Sequence, residues 1–220
     1  MSMPYQVIGG PSSTSAVLVH ELPHGLSRRV VTVAADPDAA QELRVGTILG
    51  FRLFGAPTVA AKPGNQGNGT LDAAALSTRV MTGSYEVVCL SGGASASFAV
   101  ISPEGLRLRD AGLGAYVGEH LAFTIIAGGT AFAKGDGWIV TVPEGDGKAV
   151  PWQADALDGT GRVGGVLITR VVTAPGQDTE GQAVTRDAVL VRAGLIIPPG
   201  GPAVAAAALA GLAARGLAPR

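Results

Sequence analysis

The sequence has one cysteine, few aromatic residues and no run of like charges. A single cysteine, Cys89, excludes an internal disulfide, and within the apolar run YEVVCL it is expected to be a buried hydrophobic residue rather than a nucleophile. The 16 basic and 17 acidic residues are spread along 220 positions, for a net charge of −1. Without a basic patch the chain is not expected to bind nucleic acid.

Membrane and export signals are also missing. No basic segment followed by an apolar core opens the sequence, so we predict no secretory signal and folding in a cytoplasm. The most apolar stretch, 203–218, consists mainly of alanine and is interrupted by Arg215. It therefore predicts a short helix rather than a membrane span.

Glycine and proline are abundant, with 33 and 14 residues against five Phe, three Tyr and two Trp. This composition is typical of short strands joined by tight turns around an aliphatic core. It predicts a mainly β (α+β) protein. A helix-like turn is predicted at DPDAAQEL, where Asp36 is suited to be an N-cap and Pro37 the first helical residue.

Composition shifts divide the chain into segments. Gly, Pro and Ser residues predict a flexible N-terminal arm over 1–16. Two linker-like stretches, GAPTVAAKPGNQGN and PEGDGKAVP, enclose a self-contained β pattern, which predicts an inserted module at 58–147. Residues 17–57 and 148–220 then form one discontinuous β domain, ending in an Ala-rich helix at 202–217.

The stretch FTIIAGGTAFAKGDGWIVTV, 123–142, raises the question of a phosphate-binding loop. Such a loop requires GxxxxGK[ST] leading into a helix, whose N-terminal amides hold the anion. Here Lys134 precedes Gly135 and a strand pattern follows. The stretch therefore predicts a strand, a glycine-rich connection and a returning strand.

No catalytic or metal site is predicted. The sequence HELPH from His20 to His24 matches the zinc motif HExxH literally, but Pro23 would break the helix that the motif requires. Glycine clusters lack dinucleotide-binding spacing, and no GxSxG motif is present. Catalytic residues, metal ligands and cofactors are accordingly predicted to be none, and binding or assembly is the leading class of function.

The discontinuous domain resembles a known family. Its segments are VVTVAA (Val30–Ala35), LRVGTILGF (Leu43–Phe51), VPWQADALDGTGRVGGVLITRVVT (Val150–Thr173) and TRDAVLVRAGLI (Thr185–Ile196). In this order they resemble the head decoration proteins of tailed phages, the phage lambda decoration protein D family. The inserted segments GNGTL, GSYEVVC and FAVISPEG are similar to a glycine-rich β-module found in phage virion proteins.

The resemblance implies a small β-barrel-like decoration domain interrupted by a β-sandwich-like module. It also implies a protein made in the host cytoplasm that binds the outside of the mature capsid as trimers and stabilises the lattice of the major capsid protein. Neither an enzymatic activity nor a nucleic-acid or membrane partner is implied.

Tentative capsid-binding residues come from the arm and the first strand. An arm that adds a strand to an exposed sheet edge gains main-chain hydrogen bonds as it becomes ordered. The apolar candidates for this contact are Tyr5, Val7, Ile8, Val17, Leu18 and Val19.

Two alternatives remain. In the first, the inserted module is a virion-surface recognition module that binds a host glycan or another ligand. In the second, His20 and His24 bind zinc in a small enzyme or metalloprotein.

Overall fold

A computed structural model describes residues 13–220, and it confirms a mainly β protein, with 43% strand and 10% helix. The α-helix α1 spans Gly201–Ala213, and short 3₁₀ helices form at Thr14–Ala16, Pro23–Gly25 and Arg192–Gly194. The strands in chain order are β1 (Leu18–Glu21), β2 (Arg28–Val33), β3 (Gln41–Leu43), β4 (Ile48–Phe51), β5 (Thr58–Ala61), β6 (Thr70–Leu76), β7 (Gly83–Ser91), β8 (Ser97–Ile101), β9 (Ala111–Gly112), β10 (Gly114–Val117), β11 (Leu121–Ile126), β12 (Gly137–Val142), β13 (Ala149–Pro151), β14 (Gly165–Leu167), β15 (Val171–Thr173), β16 (Thr179–Val184), β17 (Ala188–Leu190) and β18 (Leu217–Pro219).

The contacts divide the chain into two compact units. The terminal unit comprises the chain up to Arg52 together with Gly147–Arg220, and the middle unit comprises Leu53–Asp146. The ends of the middle unit lie side by side, because the Gly145 N–H donates to the Leu53 carbonyl at 2.9 Å. Adjacent ends are what an inserted segment requires.

The terminal unit contains a ring of five paired strands in the order β13-β2-β16-β14-β4. Strand β4 pairs with both β13 and β14, whereas the ring is closed between β13 and β2 by the single parallel pair Ala149 and Val33. The barrel is therefore irregular at this point. Inward side chains such as Leu49 and Leu167 fill it and are fully buried.

A second core in this unit lies between the three-stranded sheet β1-β17-β18 and helix α1. The helix buries Ala208 and Leu212 in it. The predicted helix end at 217 is wrong: α1 ends at Ala213. Gly216 adopts φ +70°, which ends the helical path, and Leu217 is then fully buried in β18, which pairs in parallel with β17.

Two further local predictions need correction. Residues 13–16 of the predicted arm pack on the terminal unit, since the Thr14 hydroxyl donates to the Ile168 carbonyl at 2.8 Å. No helix forms after Asp36. Its carboxylate accepts the N–H groups of Asp38 and Ala39, as an N-cap would, but the chain then enters β3, whose pairing with β15 replaces helical hydrogen bonds.

The middle unit has two sheets, β5-β12-β7-β8-β9 and β10-β11-β6, that share one hydrophobic core. A shared core between two sheets is what the predicted sandwich-like module requires. Strands β11 and β12 form as expected, but they belong to different sheets. The glycine-rich connection therefore crosses between sheets rather than closing a hairpin.

Tyr85 anchors the start of β7. Its hydroxyl accepts the Met81 N–H at 2.9 Å and donates to the Met81 carbonyl at 3.2 Å, while the side chain is fully buried. Gly83, between them, has φ +119° and allows the chain to turn back. This is the geometry of a tyrosine corner, a feature of immunoglobulin-type sandwiches.

We expect Tyr85→Phe to lower the free energy of unfolding of the middle unit by about 1–3 kcal/mol, because both backbone groups of Met81 lose their partner while the ring still fills its place. Urea unfolding followed by the amide NMR signals of the middle unit measures the loss. Ser84→Ala, which removes an exposed hydroxyl next to it, is the control. Equal stability of the two variants would contradict the assignment of a tyrosine corner.

Candidate functional site

The glycine-rich connection between β11 and β12, residues 127–136, ends at Asp136, whose carboxylate is buried. Asp136 is 4% exposed. Its side chain accepts the N–H groups of Gln66 and Gly67 at 2.8 Å and of Ala133 at 2.9 Å. Asn65 adds a reciprocal pair of hydrogen bonds to Gly137. These contacts tie the segment before β6 to the segment before β12.

The electrostatics of this site follow from those donors. Burial by itself would raise the pKa of Asp136, but the N–H groups of Ala133, Gln66 and Gly67 stabilise the ionised form and hold the pKa below its usual value. The backbone amides thus already bind an anion, which is the Asp136 carboxylate. The glycines turn and pack the chain, in agreement with the sequence-based interpretation.

The zinc-like sequence HELPH does not form a helix. It runs from β1 into the 3₁₀ helix Pro23–Gly25, as Pro23 predicts. Among the side chains that the structure describes, which do not include that of His24, no group of three or more His, Cys, Asp and Glu residues is placed to hold a metal ion. Cys89 is 1% exposed, and burial, followed by the charge of Asp136, raises the pKa of its thiol.

Six of the seven aromatic residues of the middle unit lie in its core, and the seventh, Phe54, is partly buried against it. Tyr85, Phe98, Tyr116, Phe123, Phe132 and Trp138 are all buried, as the strand alternation predicts. The rings of Phe98 and Phe132 lie 5.1 Å apart in an edge-to-face arrangement. These rings therefore offer no exposed surface on which a sugar could stack.

The predicted first-strand site lies at the end of a sheet. In the described residues β1 pairs only with β17, so its other edge carries no strand. Val19 is 62% exposed and sits where the pairing register shifts, at a β-bulge. Leu18 is partly buried against the core, and Val17 is fully buried. The buried Val17 side chain therefore belongs to the core, and we do not include Val17 in the proposed contact surface.

Two exposed leucines that the sequence analysis did not select extend this region. Leu22 is 39% and Leu26 56% exposed, on either side of the Pro23–Gly25 turn. The Ser27 hydroxyl fixes the turn by accepting the Leu22 N–H and donating to the Asp187 carbonyl. We call Leu18, Val19, Leu22 and Leu26 the β1 surface. Leucines flanking a proline-glycine turn are the signal that could have identified it.

Glu21 and Arg28 form an ion pair at 2.6 Å beside this surface, and hydrogen bonding to Arg28 lowers the pKa of Glu21. Both side chains are partly exposed, so the pair contributes little to stability. Among residues 13–220 the outer edge of β1 pairs with no strand. With this edge and its apolar side chains, the β1 surface is suited to contact another polypeptide.

The segments that carry the resemblance have structural roles in the terminal unit. Trp152 is 2% exposed and its indole N–H donates to the Gly161 carbonyl at 2.8 Å. Asp158 accepts the N–H and hydroxyl of Thr160. These hydrogen bonds hold the loop between β13 and β14 in place. They give Trp152 and the Asp158-Gly159 pair, which are part of the family resemblance, a structural role.

Comparison with known proteins gives one extensive match. The family model described as "Bacteriophage lambda head decoration protein D" matches residues 8–217. No curated protein matches the chain. Two crystal structures of Xanthomonas campestris FlgL, in space groups H3 and C2, are similar at a TM-score of 0.33, with 16% and 18% identity over 46% and 44% of this chain. The match covers 34% and 33% of the FlgL chains, so this chain spans about a third of their length. At this TM-score the similarity indicates neither a shared fold nor a shared function.

Proposed function

Since this chain belongs to the family of phage lambda head decoration protein D, we propose that it binds the exterior of the mature phage head and stabilises the lattice of the major capsid protein. The observation that carries the proposal is the family match over 8–217, which includes both parts of the terminal unit. The family is a structural one. Among the described residues, no helix is both long and apolar enough to cross a membrane.

The contact surface in this proposal consists of the β1 surface and the preceding arm. Tyr5, Val7 and Ile8 lie outside the described residues, and the chain enters the terminal unit at Thr14–Ala16, directly before β1. An arm continuing from this point can lie beside the free edge of β1. Partner strands recognised in this way gain main-chain hydrogen bonds, while apolar side chains supply selectivity.

Trimers are the form in which we propose that the protein binds. Three copies that contact the shell together gain avidity, because once one copy is bound the others act at a high effective concentration. A protein that binds only the mature lattice stabilises it against rupture by mass action. Weak individual contacts are therefore sufficient for the proposed role.

We expect Val19→Asp to weaken binding to expanded capsids by about tenfold or more for each contact, since a charge placed in an apolar contact loses hydration that nothing replaces. Purified protein is mixed with expanded capsids of its source phage that lack it, and the bound copies are counted by cryo-electron microscopy. Trimeric density over three-fold sites is the expected result for the unaltered chain.

Val117→Asp is the matched control, because Val117 is 71% exposed on β10 of the middle unit and the chemical change is the same. It should bind as the unaltered chain does. Bare capsids with unaltered protein would reject the proposed function, whereas bound protein with no effect of Val19→Asp would reject only the proposed surface.

A further inference from the structure

The sheets of the middle unit end in edge strands, and three of these edges have features that limit further pairing. In β6, Ala73 adopts φ +53° at a bulge against β11. In β10, the Val117 carbonyl accepts a hydrogen bond from the Arg109 guanidinium at 2.7 Å. Strand β9 is only two residues long, and beside it the Leu108 N–H donates to the Val100 carbonyl of β8. Bulges, charged side chains, short strands and covering segments are the means by which sheet edges avoid other chains.

Strand β5 has none of these features. Its four residues, Thr58–Ala61, are uncharged and exposed, and they pair with β12 in a regular register. On its other side β5 pairs with no strand among residues 13–220. Lysine often guards such an edge, but the Lys62 ammonium is paired with the Glu86 carboxylate of the same sheet at 3.5 Å. An exposed, uncharged and regular edge is a template for pairing with another chain.

The register with β12 determines which backbone groups of β5 point outward. The Lys62 N–H donates to the Gly137 carbonyl at 2.9 Å. In an antiparallel pair the backbone groups of successive residues point alternately toward the partner strand and away from it. The N–H and carbonyl groups of Val59 and Ala61 therefore point away from β12.

Two prolines bound this edge symmetrically. Pro57 lies two residues before Val59, Pro63 lies two residues after Ala61, and a proline has no N–H to donate. The outward donors are thus confined to Val59 and Ala61, on either side of Ala60. A second copy of β5 that runs antiparallel presents the same pattern. The segment is therefore complementary to itself, as a two-fold interface requires.

We propose that two copies of this chain associate by antiparallel pairing of their β5 strands, with the two-fold axis at Ala60. Val59 of each copy then exchanges both main-chain hydrogen bonds with Ala61 of the other, and the two apolar side chains lie side by side. Lys62 faces Thr58 of the other copy, so like charges do not meet. The interface is small, and the association is accordingly weak. It does not depend on the proposed capsid role and is tested without capsids.

Disulfide trapping in the full chain tests this register. At the two-fold axis the Cα atoms at position 60 lie about 4.5 Å apart, which a disulfide can span. Thr58 is exposed on the same face of β5, but its Cα atoms in the two copies are separated by about 13 Å along the strands. In a glutathione redox buffer we expect Ala60→Cys to form linked dimers at least about tenfold faster than Thr58→Cys, because only the first pair of sulfur atoms meets. Unaltered protein is the blank, since Cys89 is 1% exposed.

A further change removes a hydrogen bond of the pairing itself. Adding Ala61→Pro to the Ala60→Cys chain should abolish the fast cross-linking, because it removes an N–H that points away from β12. Ala61→Val, which keeps this N–H, should preserve it, and the amide NMR signals of β12 report whether the middle unit stays folded. Equal rates for Ala60→Cys and Thr58→Cys, fast or slow, would show that β5 does not pair with itself. Fast cross-linking that survives Ala61→Pro would show a different contact, and either result would overturn the proposal.

Discussion

Asp136→Ala is expected to lower the free energy of unfolding of the middle unit by about 3–5 kcal/mol. The substitution removes the acceptor of three backbone N–H groups, those of Gln66, Gly67 and Ala133. Each buried donor left without a partner costs about 1–3 kcal/mol, and a small cavity adds to the cost. We expect water to enter the space left by the side chain and to bind some of these N–H groups. The total cost is therefore below three times the largest cost of a single donor.

Urea unfolding followed by the amide NMR signals of the middle unit measures this effect. Asp72→Ala is the matched control, because Asp72 is an exposed carboxylate of the same unit whose side chain contacts only the Thr70 hydroxyl among the bonds described. It should change stability by less than about 0.5 kcal/mol. If the two variants were equally stable, the Asp136 carboxylate would not be what holds the glycine-rich connection.

Acid should affect the middle unit through the same carboxylate. Because backbone donors hold the pKa of Asp136 below its usual value despite burial, its ionised form stabilises the folded state. This stabilisation is fully present above the unfolded pKa, about 3.9, and is lost as the pH falls through the lower folded pKa. We expect the urea midpoint of the middle unit to fall below about pH 4 and to fall less in Asp136→Asn. Parallel profiles for the two proteins would contradict this linkage.

Strand positions were predictable because the signals are local. In β7, Tyr85, Val87 and Cys89 are buried while the residues between them are more exposed, and this period of two is visible in the sequence. The glycine and proline turns also mark where strands end. The class of the fold, the mainly β composition and the burial of the middle-unit aromatics follow from patterns of this kind.

What the sequence could not reveal depends on contacts between distant residues. The connection between β11 and β12, residues 127–136, is longer than the usual hairpin loop of about 2–5 residues. It crosses between sheets, because each strand finds its partners elsewhere in the chain. Likewise Gln66 and Asp136 are separated by 70 positions, so no local pattern predicts their hydrogen bond. The helix end was missed because burial of Leu217 in β18 outweighs the helical propensity of alanine.

The candidate site was predictable only in part for the same reason. The apolar, β-rich run identified the segment Val17–Val19, but not which of these side chains faces outward. The bulge at Val19 is set by pairing with β17, about 170 residues later in the chain, and it decides that Val19 is exposed. Leu22 and Leu26 join the surface only because Ser27 fixes the turn between them.

Gly46→Ala is expected to lower the free energy of unfolding of the terminal unit by about 2–5 kcal/mol. Gly46 begins the GTILG segment that carries part of the family resemblance. It has φ +94°, a conformation that costs about 1–2 kcal/mol for alanine. A Cβ at this position would also overlap the carbonyl oxygen of Gly194, and moving packed backbone costs roughly 1–3 kcal/mol more.

Two other glycines of this unit separate these contributions. Gly176 has φ +67° with open space around its Cα, so Gly176→Ala should show the conformational cost alone. Gly50 lies outside the positive-φ region but approaches the Thr160 backbone, so Gly50→Ala should show the steric cost alone. Urea unfolding followed by the amide NMR signals of the terminal unit compares the three variants. If Gly46→Ala cost no more than Gly176→Ala, the close approach to Gly194 would not be what requires glycine, and the first glycine of GTILG would be explained by its turn conformation alone.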